Sequence, residues 1–307
     1  MKGLVIKNTG SWYQVRTDQE ETFECKIKGN LRLKDIKSTN PIAVGDFVEF
    51  GAIEEKVGLI SAIYDRKNYI IRRSSNLSKQ SHILAANLDL VVLVITIRYP
   101  ETSTVFIDRF IASAEAYNVP ACILINKTDL YTEDEMQYAE ALKTLYESIG
   151  YPVFMLSAIK PDTFDTFKHF LTGKTILISG NSGVGKSTLI NAILPESLAK
   201  TGEISSYHNK GTHTTTFSQL YQLENGAQLI DTPGIKGFGT VDMEADEISH
   251  YFKEIFKTSK KCRFTNCTHV HEPGCAVLTA VENHQISLSR YQSYLSILSD
   301  FKTGKYR

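Results

Sequence analysis

Two patterns of apolar positions divide the chain. Up to about residue 72, apolar and polar residues alternate in short runs broken by turn residues. "GLVIKN", "SWYQVRT", "ETFECKI", "DFVEFGA" and "GLISAIYD" predict about five strands and no long helix. That set suits a small closed β-barrel of the oligonucleotide-binding (OB) type, with an SH3-like barrel as the alternative. From about residue 85 the pattern changes. "LDLVVLVITI" is a continuous apolar strand, and "STVFIDRFIASAEAYN" (103–118) has helical spacing. "ACILIN" is a second strand. "TEDEMQYAEALKTLYESIG" is a helix with Thr132 as its cap, Glu135 at capping-box spacing and Gly150 just past its end. "PVFMLS" is a third strand, "TFDTFKHFL" a helix and "TILIS" a fourth strand, and such alternation implies a parallel sheet covered on both faces.

After Gly234 a helix is expected over 242–256, then a cysteine-rich stretch, an amphipathic helix "LSRYQSYLSILSDF" and a basic tail "KTGKYR". The reading is a multidomain α/β chain. It has an OB-type barrel over 1–72, a nucleotide-binding domain over 73–241 and a helical, metal-binding domain over 242–307.

Composition adds little. Hydrophobic residues make up 42% and charged residues 22% of 307 residues, ordinary for a folded soluble protein of two or three domains. Lys+Arg and Asp+Glu are both 34, so any basic surface is local. Such a surface is suggested by Lys26, Lys28, Arg32, Lys34 and Lys37, which face only Asp35 within residues 26–37 and could contact phosphates. The amino terminus lacks a signal-peptide stretch, and the longest apolar run, residues 90–97, is too short to span a bilayer. A cytoplasmic protein is expected.

The chemistry sits in three constellations. "GNSGVGKS" fits G-x-x-x-x-G-K-[ST], follows a predicted strand and opens the helix "STLINAIL". Glycines let the backbone amides of Gly180, Asn181, Ser182, Gly183, Val184 and Gly185 turn in around phosphate oxygens. Lys186 should reach the β- and γ-phosphates, Ser187 should bind Mg²⁺, and Thr188 continues the helix amino terminus. "DTPG" ends the apolar strand "AQLI". Asp231 there can hold magnesium through water, and Gly234 can offer its amide to the γ-phosphate. In "KGTHTTTFSQL" one threonine can complete the Mg²⁺ shell, and Thr215 is favoured. Ile235 follows the D-x-x-G where Ras-like enzymes place a water-orienting glutamine, so His213 is the nearest candidate for that catalytic role.

"INKTDL" ends one strand, on the sheet edge where nucleotides bind. Asp129 would accept from guanine N1–H and the exocyclic amine. Adenine offers neither donor, which argues against ATP. Asn126 can bond the other edge of the base and tie loops together, the Lys127 stem can lie over the ring, and Thr128 completes the loop. Ser157-Ala158 ends the next strand, where a backbone N–H could meet guanine O6. GTP and GDP are therefore the expected ligands. The base loop precedes the phosphate loop, which makes this a circular permutation of the GTPase order, and the γ-phosphate-sensitive loop leads straight into the carboxy-terminal module.

In "CRFTNCTHVHEPGC", Cys262, Cys267, His269 and Cys275 offer a tetrahedral Cys₃His set for one structural zinc, with His271 as a rival imidazole.

With "NKTDL", "GNSGVGKSTLIN", "GTHTTT", "DTPG" and "CRFTNCTHVHEPGCAV" in this order, the whole chain resembles the ribosome small-subunit-dependent GTPase family (RsgA, also called YjeQ). The resemblance implies zinc ligands at Cys262, Cys267, His269 and Cys275, and a catalytic histidine at His213. The family's arginine before that histidine is Thr212 here. It also implies a bacterial cytosolic, monomeric GTPase that binds the 30S subunit and 16S rRNA, not DNA or membrane. The family acts late in small-subunit maturation, hydrolysis is stimulated by the subunit, and hydrolysis is coupled to release. A non-enzymatic GTP/GDP switch that recruits a protein is the other reading.

Overall fold

The computed structural model describes residues 1–28, 41–73, 81–194, 218–231 and 243–302. The five expected amino-terminal strands are β1 (Lys2–Asn8), β2 (Tyr13–Arg16), β3 (Thr22–Ile27), β4 (Phe47–Glu54) and β5 (Val57–Ile63). They pair in the order β1-β2-β3-β5-β4, and β4 pairs back with β1. The barrel therefore closes without a free edge, with β3 and β5 parallel, as in an OB-type barrel. Alternate residues point inward, so Val5, Tyr13, Val15, Cys25, Val48, Phe50 and Ile60 fill the interior. Asp46, fully buried at one end of the barrel, accepts two 2.6 Å hydrogen bonds from Arg66, one at each carboxylate oxygen.

Next comes a hairpin that the periodicity did not signal, β6 (Tyr69–Arg73) and β7 (Ser81–Ala86). It leans on the barrel through a Val44–Ala85 bridge. The central sheet holds β8 (Leu90–Ile95), β9 (Ala121–Ile125), β10 (Val153–Met155), β11 (Thr175–Ser179), β12 (Ser218–Gln222) and β13 (Gln228–Asp231). Its order is β10-β9-β8-β11-β13-β12. All pairs are parallel except β12 with β13. β8 is buried along its whole length, as its unbroken apolar run requires. Its edge strand β12 pairs with barrel strand β1 at Lys7–Gln219 and Asn8–Ser218, so barrel and sheet form one hydrogen-bonded surface. The union leaves β12 with no open ladder toward solvent at that point.

Helices α1 (Thr104–Ala116), α2 (Glu133–Ser148), α3 (Asp165–Leu171) and α4 (Lys186–Ile193) flank the sheet. α2 carries the capping box read from its sequence: Thr132 caps the Glu135 amide, and the Glu135 carboxylate accepts from the Thr132 amide. The single helix expected over 242–256 is not continuous in its described part. A 3₁₀ turn at Ile248–Tyr251 is separated from α5 (Lys253–Ser259) by Phe252 in an extended conformation. The break sends Ile248, Phe252 and Ile255 together into one core with α6 (Ala276–Glu282) and α7 (Leu288–Lys302).

That core rests on α1. Ile107, Phe110 and Ile111 of α1 face the sheet, while Ala112 packs with the carboxy-terminal core. Between the two lies a buried ion cluster. Arg290 of α7, 1% exposed, donates to Asp108 of α1 and to Glu254 of α5, each at 2.6 Å. Tyr146 of α2 donates to the same Asp108 oxygen at 2.8 Å. Asp108→Ala should leave a buried guanidinium short of one partner and cost about 3–5 kcal/mol. A denaturant melt followed at Trp12 and by circular dichroism would measure it.

Candidate functional site

The nucleotide motifs converge at the carboxyl edge of β8, β9 and β11. Gly180 leaves β11 with φ +150°, and a Cβ there would sit 2.3 Å from the Val94 carbonyl oxygen. Gly185, with φ +93°, begins α4, and its missing Cβ would strike the Asn126 amide nitrogen at 2.4 Å. The phosphate loop is thus free of side-chain bulk where it meets the base loop. Val184 anchors it in the core beneath. Lys186 donates to the carbonyls of Gly180 and Asn181 at 2.7 and 2.6 Å. Burial lowers its pKa; among the described residues its ammonium has no carboxylate partner, and a polyphosphate would supply that counter-charge.

Asn126 is fully buried and spans two loops: its amide donates to Val184 O at 2.8 Å, and its Oδ1 accepts from Ala158 N–H at 2.9 Å. Of the two roles anticipated for it, tying loops is visible in the geometry. The Ser157 amide bonds Thr163 Oγ1 at 3.3 Å, so both Ser157 and Ala158 amides, expected near guanine O6, bond within the protein in this structure. The Ser157 hydroxyl instead donates to Asp129 Oδ1 at 2.5 Å. That bond aligns the carboxylate, and among the described residues its second oxygen has no hydrogen-bond partner. Lys127, in left-handed backbone geometry, donates to Gly183 O at 2.7 Å and to Tyr99 O at 2.6 Å. Thr128 donates its amide to Leu156 O. Tyr131 locks the loop from behind, accepting from Ile97 N–H and donating to Asn126 O. The roles of Tyr131, Tyr99 and the Ser157 hydroxyl were not legible in the motifs, because each acts through a long-range contact.

Asp231 ends β13 beside the phosphate loop's strand. His213, Thr215 and Gly234 lie outside the described residues, as do Thr212, Arg32, Lys34, Lys37 and the basic tail beyond Lys302. Of the basic stretch, Lys26 and Lys28 are described, and the Lys26 ammonium lies 4.2 Å from the Trp12 ring centroid.

The cysteine cluster also assembles. Ligand atoms of Cys262, Cys267, His269 and Cys275 lie within 4.8 Å of one another. His269 Nδ1 is 3.6 Å from Cys262 Sγ and 3.4 Å from Cys275 Sγ, and those two sulfurs are 3.9 Å apart. A tetrahedral ion with Zn–S bonds of about 2.3 Å needs sulfur atoms about 3.8 Å apart, so the donor set fits zinc. Exposed His271 is not in the cluster. Burial lowers the His269 pKa and keeps the ring neutral, the form that ligates. Burial pushes the Cys267 thiol up to about 12, a cost that a divalent cation offsets by stabilising the thiolate.

Glu272 organises the knuckle. Its carboxylate accepts from the Thr268 amide and hydroxyl and from the Val270 and His271 amides. Burial alone would raise this carboxyl, but those donors, Thr268 first, hold it well below the usual carboxylate range. Tyr291 and Tyr294 of α7 donate to the carbonyls of His269 and Thr268, each at 2.7 Å, and fasten the knuckle to the helical core.

No helix among the described residues is long and apolar enough to cross a membrane.

The family model described as RsgA GTPase matches residues 63–241, and the RsgA N-terminal domain model matches residues 2–60. A relative from Phocaeicola vulgatus named small ribosomal subunit biogenesis GTPase RsgA is 65% identical, covering 100% of this chain and 99% of its own. The relative named RsgA 2 from Bacteroides thetaiotaomicron is also 65% identical, with the same coverage. The crystal structure of YjeQ from Thermotoga maritima superposes with TM-score 0.78 at 35% identity, covering 98% of each chain. That of YloQ, titled a circularly permuted GTPase, gives TM-score 0.77 at 28% identity over 100% of this chain and 96% of its own.

Proposed function

The chain belongs to the RsgA GTPase family and is a GTP hydrolase using GTP, Mg²⁺ and one structural zinc, and from that premise we propose that it acts in biogenesis of the small ribosomal subunit. In this reading it binds the 30S subunit and 16S rRNA late in maturation, and GTP hydrolysis times its release. The observation that carries the reading is a full-length match to relatives bearing that name, over a fold that fixes a barrel, a nucleotide site and a zinc module to one another. We assign the three units to 1–72, 73–241 and 242–307, and take the protein to be a cytoplasmic monomer without a DNA or membrane partner.

The residues divide the work as follows. Asp129 accepts from the guanine N1–H and amine, held in line by Ser157. Lys127 covers the ring with its stem, and Asn126, Thr128 and Ala158 hold the loops around it. Residues Gly180 to Gly185 wrap the phosphates, and the helix amino terminus at Lys186, Ser187 and Thr188 faces them. Ser187 and Thr215 would hold Mg²⁺, with Asp231 reaching it through water, and the ion would neutralise phosphate charge. Gly234 reports the γ-phosphate, and His213 orients the attacking water. On the barrel, Lys26 over Trp12, and Lys2 beside the exposed rings of Phe47 and Tyr64, pair cations with aromatic faces in the manner of a single-strand nucleic-acid surface.

His213→Ala should lower turnover by roughly 10²–10⁴-fold, the range of general acid–base and water-orienting groups, while GTP affinity changes little. Single-turnover hydrolysis and equilibrium binding of a fluorescent GTP analogue separate the two effects, and undiminished turnover removes the assignment. The subunit-binding reading is tested by pelleting the protein with 30S subunits. A GTP analogue should retain it and GDP should not; equal retention with both would contradict release by hydrolysis.

A further inference from the structure

The segment joining β8 to α1 carries no recognised motif, yet it meets both the base loop and the phosphate loop. It is pinned at both ends. Thr96 exchanges backbone and side-chain hydrogen bonds with Thr102, and its hydroxyl donates to Pro100 O at 2.5 Å. Ile97 N–H donates to the Tyr131 hydroxyl that also holds Asn126. At the apex, Tyr99 has φ +58° with its side chain 59% exposed. A tyrosine gains nothing by itself from the left-handed region. Such conformations persist where surroundings fix them, often at ligand clamps. Here the surroundings are visible. The Tyr99 carbonyl accepts from Lys127 Nζ at 2.6 Å, and Pro100 Cδ lies 3.4 Å from where a Cβ of Gly183 would be. The same Nζ reaches Gly183 O at 2.7 Å. One ammonium thus joins the base loop, the phosphate loop and the Tyr99 turn.

We propose that Tyr99 is a positioning residue for nucleotide retention, acting through its main-chain carbonyl: it fixes Lys127, so that the lysine stem is held over the guanine ring and Gly183 is held against the phosphates. This rests on the guanine-site reading given above. The contact does not involve Gly234, the residue that reports the γ-phosphate in that reading, so it should be the same in GTP and GDP states. Loosening it therefore weakens both nucleotides alike and leaves the chemical step alone.

The backbone role makes an unusual substitution pattern. Tyr99→Gly removes the ring but favours the left-handed geometry, so it should release fluorescent GDP and GTP analogues at nearly the wild-type rate. Tyr99→Val removes the ring and disfavours that geometry, so it should release both roughly tenfold faster, with kcat at saturating GTP within about twofold. Tyr99→Thr repeats the test if the valine variant melts early. Stopped-flow dissociation and steady-state turnover on the full chain provide the readouts. Wild-type release from the β-branched variants overturns the proposal, and so does equal acceleration in Tyr99→Gly, which would place the effect in the ring. An Asp129→Asn control binding xanthosine triphosphate shows that the guanine-site reading stands independently of this result.

Discussion

Asp129→Asn should lose GTP by roughly 10³–10⁵-fold and bind xanthosine triphosphate in its place. The expected size follows from what the carboxylate faces. A site built to accept two donors from its ligand leaves a polar group unpaired when they are missing, and such sites discriminate by about 10⁴–10⁵. Xanthine carries a carbonyl where guanine carries the amine, so an asparagine amide meets it as a donor. The local structure favours the exchange, because Ser157 Oγ donates to only one carboxylate oxygen, Oδ1. In the variant the amide oxygen can keep that bond and the NH₂ can turn to the base. Titration with fluorescent GTP and XTP analogues measures both halves. Retained GTP affinity would mean that Asp129 does not read the base, and the loop order would lose its functional meaning.

The second large effect is expected at the zinc knuckle. Cys275→Ser should abolish stoichiometric zinc and unfold the carboxy-terminal helices. Structural zinc contributes about 10–16 kcal/mol of apparent binding energy at neutral pH, comparable to or larger than the whole stability of a typical domain, about 5–15 kcal/mol. Cys275 is also the residue from which α6 starts, and its sulfur lies 3.4 Å from His269 Nδ1. Loss of the knuckle frees Tyr291 and Tyr294 from their carbonyl partners and exposes the face of α1 that Ala112 and Asp108 occupy. Metal analysis and thermal melting provide the measurements. His271→Ala serves as the control and should retain one zinc per chain, because His271 is exposed and outside the cluster. Zinc loss in that control would reverse the choice of imidazole.

Local chemistry was legible in the sequence, and long-range contact was not. The phosphate loop, the base loop and the cysteine spacing each need particular residues within a few positions, so the motifs could be read directly. The capping box at Thr132 and Glu135 is equally local and appears as expected. The β6–β7 hairpin was missed because its strands are short and lie on either side of residues 74–80, with no alternation long enough to stand out. The helix at 242–256 was misread because Ile248, Phe252 and Ile255 have helical spacing, yet a break at Phe252 buries them better. The buried Arg290 gives no sequence signal at all. Its partners are 182 and 36 residues away, and an arginine on an amphipathic helix ordinarily faces water.

That arginine also revises how a nucleotide signal would reach the zinc module. The sequence suggests a direct connection after "DTPG". The structure adds a broad second contact, in which α1 is held by Arg290, by an Arg109–Asp300 ion pair at 2.5 Å and by a Lys253–Glu115 ion pair at 2.9 Å. The zinc module is therefore seated on the nucleotide domain through α1 as well as joined to it in sequence.

The account turns on whether this nucleotide site is read out by the small ribosomal subunit. Steady-state GTP turnover, measured with the intact zinc-loaded protein alone and with purified 30S subunits, tests that most directly. The account predicts turnover that is slow alone and rises in proportion to added 30S until the protein is saturated, with no such rise in His213→Ala. Turnover that is the same with and without 30S subunits would contradict it.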